Sequence, residues 1–143
     1  METNFHDGEF ILTDKLNYRF GNPQRGDVVV FKAPPDGSSE FIKRIIGLPG
    51  DTVAVQNGHI TVNGQQITEK YLDSTVITLP GNFATEGKSV KIPDMQYFLM
   101  GDNRNHSYDS RGFGLVDRSK ITGKAWLIYW PPKNVGIVRR EVY

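Results

Sequence analysis

Short apolar runs alternate with turn-forming clusters along the whole chain, and none keeps a helical period beyond two turns. The runs fall at residues 10–12, 27–32 (DVVVFK), 40–46 (EFIKRII), 52–56, 59–62, 97–100 and 121–130 (ITGKAWLIYW). They are rich in Val, Ile, Phe, Tyr and Trp, side chains that suit a pleated, half-buried surface, so each predicts a strand. Between them stand Gly21-Asn22-Pro23, Pro34-Pro35-Asp36-Gly37 and Pro49-Gly50-Asp51, the punctuation of a sheet protein with many corners. Asn57-Gly58 and Asn63-Gly64 supply the positive φ angles of type I′ turns, so TVAVQ-NG-HITV-NG-QQI predicts a meander with two sharp reversals. Residues from about 65 to 94 are the most polar and least patterned, and read as an excursion from the core. The expectation is one domain over residues 1–143, all-β with mainly antiparallel sheets and little helix.

Composition narrows the function more than the fold. A chain of 143 residues can build a core without metals or disulfides. Its formal net charge of +1 leaves no excess of Lys and Arg for phosphates, so no nucleic-acid partner is expected. Cysteine is absent, which excludes a disulfide framework, a thiol nucleophile and thiolate metal sites. His6, His59 and His106 lie far apart with no ligand-like spacing, and neither a metal nor another cofactor is expected. No run approaches the roughly 18 apolar residues that span a membrane. The first residues, METNFHDGEF, are too polar for the core of a signal peptide, and the chain as given reads as soluble.

Two segments carry candidate chemistry. In FIKRIIGLPGD, residues 41–51, alternation puts Phe41, Lys43 and Ile45 on one face and Ile42, Arg44 and Ile46 on the other. Desolvation on an apolar face lowers the pKa of an amine, by up to several units from about 10.4, and a neutral amine can serve as a general base. The alternative is that Lys43 reaches solvent or pairs with a carboxylate. In GDNRNHSYDSRGFG, residues 101–114, a dense polar loop follows an apolar strand, as in a hydrogen-bonded corner or a site. Asp109 with Arg111, and Asp102 with Arg104, are spaced to form charge-assisted pairs. His106 beside Ser107 and Ser110 suggests a triad, but neighbours on one loop rarely reach that geometry.

Taken in order, GDVVVF (residues 26–31), KRIIGLPGD (43–51) and GDNRNHSYDSR (101–111) resemble the boxes of the type I signal peptidase family, the serine/lysine-dyad proteases. The similarity runs from Met1 to the AWLIYWP segment at 125–131. It implies a signal-peptidase-like or self-cleaving-repressor-like β fold and removal of signal peptides from exported precursors. Lys43 stands where the family has its general base, and Ser107 where a hydroxyl orients that lysine. Asp109 and Arg111 match a pair supporting the loop, and Asp102, Asn103 and Arg104 belong to the same scaffold. Met1, Phe5, Phe41 and Ile42 match positions that wall the pockets for small residues of the signal peptide; plain core packing is the other reading of them.

At the front, METNFHDGEFIL follows the family's Ser-Met-x-Pro-Thr box from its Met onward, with Thr3 at the usual Pro. The expected nucleophilic serine would precede Met1, and the resemblance places a membrane anchor further upstream. It thus implies a cell-membrane location with the catalytic domain on the extracytoplasmic face. The alternative is an inactive homologue or truncated domain that grips extended peptides. A self-cleaving repressor is disfavoured, because no helix-turn-helix and no internal Ala-Gly cleavage loop are present. For Trp126 to Trp130, core packing is the simpler reading and a lipid interface the other.

Overall fold

The apolar runs become strands that pair with their neighbours in antiparallel fashion. The computed structural model describes residues 10–16, 18, 21–34 and 37–143. The expected roles of Met1 and Phe5 therefore lie outside the described residues. The strands are β1 (Phe10–Asp14), β2 (Val28–Lys32), β3 (Glu40–Gly47), β4 (Thr52–Gln56), β5 (His59–Val62), β6 (Gln65–Gln66), β7 (Val90–Lys91), β8 (Gln96–Met100), β9 (Val116–Asp117), β10 (Ile121–Trp130) and β11 (Gly136–Ile137). One sheet runs β1-β10-β2-β3-β8-β9, with β11 added to β10, and a second runs β6-β5-β4-β7. Apart from a helical position at Tyr18, helix among the described residues is limited to α1 (Ser110–Phe113) and short 3-10 turns. The fold class is thus all-β and antiparallel, as the pattern predicts.

The meander forms as expected. Asn57 and Gly58 have φ of 52° and 79°, and Asn63 and Gly64 have 53° and 79°, the doubly left-handed path of a type I′ turn. Asn63 also accepts from the Thr52 amide at 2.9 Å and donates to Asp51 Oδ1 at 2.8 Å, fastening the second turn to the corner before β4.

Alternation along β3 sorts its side chains between separate clusters. Ile45 joins Val29, Phe31, Tyr97 and Leu99 on one face, with Phe41 packed against them. Ile46 faces the other way, into a core shared by the two sheets that includes Val53, Val55, Ile60, Phe98 and Met100. Ile42 sits against a third group around Val28 and Ala125. Each fully buried Ile or Phe contributes about 1.5–3 kcal/mol, so the register of β3 is strongly fixed. Gly47 is required at its end, since a Cβ there would meet Ile92 Cδ1 at 2.3 Å and Val53 Cγ2 at 2.7 Å.

The polar segment 65–94 has little regular structure but enters the interior. Ala84, Val90 and Ile92 join the core between the sheets, and Thr78 is buried. At the other end of the chain, the terminal aromatic run departs from the simpler expectation. Trp126, Tyr129 and Trp130 are 44%, 44% and 51% exposed, because β10 outruns β2 and, among the described residues, its far end pairs only with β1 and β11. Phe10 and Ile137 are exposed on those neighbouring strands. Among the described residues, no helix is long and apolar enough to cross a membrane.

Candidate active site

Lys43 lies in the middle of β3, opposite Val29 of β2. Its amine stands 5.6 Å from the Phe41 ring centroid and makes no ion pair or hydrogen bond among the described residues. Burial lowers its pKa from the ordinary lysine value, against the pull of Asp109 and Asp102 and with help from Arg111. The proton is therefore held less tightly than on an exposed lysine. Phe41 and Ile42, half-buried, point to opposite faces of the strand.

The polar loop brings Ser107 to this amine. Strand β8 delivers the chain to Gly101, where a Cβ would meet Ser107 Oγ at 2.1 Å and stand 3.6 Å from Lys43 Cδ. Only a glycine lets the serine and the lysine stem converge over that point of backbone. Ser107 Oγ is buried and forms no hydrogen bond of normal geometry, although it lies close enough to Asp109 to help hold that carboxyl low. A buried hydroxyl of this kind is free to turn toward an incoming donor or acceptor.

Two arginine forks occupy the carboxylates that could otherwise capture Lys43. Arg111 donates Nε to Asp109 Oδ1 at 2.9 Å and Nη2 to Oδ2 at 2.8 Å. Asp109 also accepts from the Arg111 and Gly101 amides, which fixes the start of α1. Although Asp109 is buried, these bonds and the Arg111 charge hold its carboxyl below the usual aspartate range. Arg44 likewise donates Nε to Asp102 Oδ1 at 3.0 Å and Nη2 to Oδ2 at 2.7 Å. This corrects the expected pairing of Asp102 with Arg104. The register of Arg44 opposite Met100 sets Asp102 just beyond that pair, within reach of Arg44. Arg104 turns instead to the 65–94 segment, bonding both Glu69 carboxylate oxygens, Thr78 Oγ1 and the Tyr71 hydroxyl.

The remaining candidates are separated. Asn103 closes the 3-10 turn with its carbonyl, which accepts from the His106 amide at 3.2 Å. His106 is exposed, with Nδ1 3.4 Å from Asn103 Oδ1, and Ser110 Oγ is buried where it accepts from the Leu99 amide. Neither serine joins that imidazole. Among the described residues, no group of three or more His, Asp or Glu side chains could hold a metal ion. Sequence reasoning missed Glu69, Tyr71 and Thr78, whose bonds to Arg104 span 35, 33 and 26 residues, separations that leave no local signal.

Comparison with known proteins gives a consistent result. The family model described as signal peptidase, peptidase S26, matches residues 1–130. A probable signal peptidase I-2 of Synechocystis sp. is 41% identical over 96% of this chain and 62% of its own length. A signal peptidase I of Bacillus licheniformis is 35% identical over 92% of this chain and 72% of that protein. The crystal structure of a signal peptidase I from Enterococcus faecalis superposes with a TM-score of 0.61 at 31% identity, covering 72% of this chain and 96% of that one. The chain spans 62% of the length of the Synechocystis protein and of a signal peptidase I from Leptolyngbya laminosa.

Proposed function

This chain belongs to the signal peptidase family, peptidase S26, and from that premise we propose a serine/lysine-dyad endopeptidase that removes signal peptides from exported precursors. The observation that carries the reading is the Lys43 amine, half-buried on an apolar strand face, unpaired among the described residues and converging with Ser107. As a neutral base it takes the proton from a serine hydroxyl while that oxygen attacks the scissile carbonyl. The resulting ammonium returns the proton to the leaving amine, which departs and leaves an acyl-enzyme. Water then hydrolyses the ester, with Lys43 accepting its proton and handing one back to the serine oxygen. Ser107 orients the amine through its hydroxyl. The attacking serine is assigned to the position directly ahead of Met1.

The substrate is an extended peptide with small side chains at −1 and −3 of the cleavage point, and Phe41 and Ile42 are the described residues assigned to its subsites. A membrane setting on the extracytoplasmic face is part of this reading. Its support here is the exposed aromatic edge of Trp126, Tyr129 and Trp130, beside exposed Phe10; Trp and Tyr are the amphipathic rings that favour a lipid–water boundary.

The test compares polypeptides carrying a serine immediately before Met1, with a fluorogenic peptide ending in Ala-X-Ala at its cleavage point. Cleavage is expected, and Lys43→Ala lowers it by about 10²–10⁴-fold while the domain stays folded. Undiminished turnover by folded Lys43→Ala would overturn the base assignment.

A further inference from the structure

Behind the Lys43 strand, one aromatic residue of the 65–94 segment touches both arms of the site. We propose that Tyr71 is a positioning residue for Lys43 and Ser107, clamping β3 and the 101–111 loop to each other through Arg44 and Arg104. The proposal rests on the reading of Lys43 as the base.

The Tyr71 ring stacks on the Arg44 guanidinium, whose Cζ is 4.2 Å from the ring centroid. Arg44 neighbours Lys43 in sequence, forks onto Asp102 and donates Nη1 to the Gly26 carbonyl at 3.0 Å. On its other side, the Tyr71 hydroxyl accepts from Arg104 Nη2 at 2.9 Å and donates to Glu69 Oε1 at 2.6 Å. With that proton committed, the Tyr143 hydroxyl 3.0 Å away is the donor of the pair. Arg104 in turn holds the loop from within. Its Nε donates to the Gly101 carbonyl at 3.1 Å, and its own carbonyl accepts from Arg111 Nη2 at 2.7 Å. One arm of the clamp thus ends beside Lys43 and the other at Gly101, the backbone point where Ser107 and Lys43 converge.

A simple core aromatic would not need this chemistry. Tyr71 lies between two guanidiniums with its hydroxyl in three polar contacts, an arrangement that fixes position and not merely volume. Burial, with Tyr143 and Glu69 nearby, pushes its phenol pKa up, so it remains a donor throughout the working pH range. Among the described residues, the charges acting on the Lys43 amine are Asp109, Asp102 and Arg111. Arg44 pairs with Asp102 through its two-bond fork, and a guanidinium held on a carboxylate weakens the pull of that carboxylate on a neighbouring amine. Releasing Arg44 exposes the amine to more of the Asp102 charge and tightens its hold on the proton.

The experiment is a pH titration of the Lys43 amine by carbon and nitrogen NMR in the 143-residue chain, for the wild type, Tyr71→Phe and Tyr71→Leu. Tyr71→Phe loses the hydroxyl bonds to Arg104, Glu69 and Tyr143 that hold the ring against Arg44. It is therefore expected to loosen the Arg44 fork and raise the midpoint by about half a unit, and Tyr71→Leu, which removes the ring, by about one unit. Ile46→Val, a core change outside the clamp, leaves the midpoint in place despite lowering the melting temperature. In the polypeptide with serine before Met1, Tyr71→Leu lowers kcat about tenfold with KM within about twofold. A folded Tyr71→Phe with an unmoved midpoint overturns the proposal, even if Tyr71→Leu fails to fold. An ordinary midpoint in the wild type instead defeats the base reading, a separate outcome visible before any variant is made.

Discussion

Lys43 and Lys124 face the same side of the main sheet in a single row, with Val29 of β2 between them, yet among the described residues only Lys124 has a carboxylate of its own. Lys124 Nζ is 2.6 Å from Asp27 Oδ1, and the Tyr18 hydroxyl takes Oδ2 of the same carboxylate at 2.8 Å. Along the row, the carboxylates nearest Lys43 are already claimed by arginine forks. The same side-chain chemistry is thus used once for an ion pair and once for a desolvated amine that holds its proton less tightly.

This contrast predicts opposite stability effects. The Lys43 pKa is lower folded than unfolded, so between those two values the unfolded chain binds more protons and stability rises with pH. Below the folded pKa the buried ammonium is a full penalty; above about 10.4 the penalty is gone. Lys43→Met is therefore expected to raise the melting temperature at pH 6–7, with the gain shrinking toward pH 11. Lys124→Met should instead destabilise at neutral pH by about 3 kcal/mol, since it leaves Asp27 buried without its cation. Denaturant melts across pH check both.

Ser107→Ala separates function from stability. The hydroxyl makes no hydrogen bond of normal geometry, so its removal should change stability by less than about 0.5–1 kcal/mol. The cleavage rate, by contrast, should fall about tenfold or more through disorientation of Lys43. Gly101→Ala is expected to damage both, because its Cβ would meet Ser107 Oγ at 2.1 Å. Circular-dichroism melts beside peptide cleavage distinguish the two patterns.

Asp109 sets an acid limit on the fold. Its pKa is depressed in the folded state, so its contribution is present above the unfolded value near 3.9 and is lost as pH falls through the folded value. Asp109→Asn should cost about 3–5 kcal/mol at neutral pH, leaving Arg111 buried without its carboxylate, and should flatten the acid limb of stability. Urea titrations between pH 2 and pH 7 measure both effects.

Much of the architecture was written locally. The runs at 52–56, 59–62 and 121–130 became strands with those bounds, and both Asn-Gly turns took positive φ, because alternation and turn chemistry act over a few residues. Strands β6, β7, β9 and β11 have two residues each, too short to carry a period. The pairing of Asp109 with Arg111 was legible for the same reason, being two residues apart. Arg44 with Asp102 was not, since 58 residues separate them and their meeting depends on the register of β3 with β8. Glu69 and Tyr71 sit in the segment with the weakest pattern, where polarity signals exposure but not which buried arginine a side chain will meet. The aromatic end of β10 misled toward the core because apolar character says nothing of whether a neighbouring strand extends far enough to cover it.

The central claim is that Lys43 is poised to act as a neutral base, and direct titration of its amine by NMR tests it most plainly. The midpoint is expected below the ordinary lysine value of about 10.4, coinciding with the acidic limb of cleavage in the polypeptide that carries a serine before Met1. A midpoint at the ordinary value, or a cleavage profile that ignores it, would contradict the account.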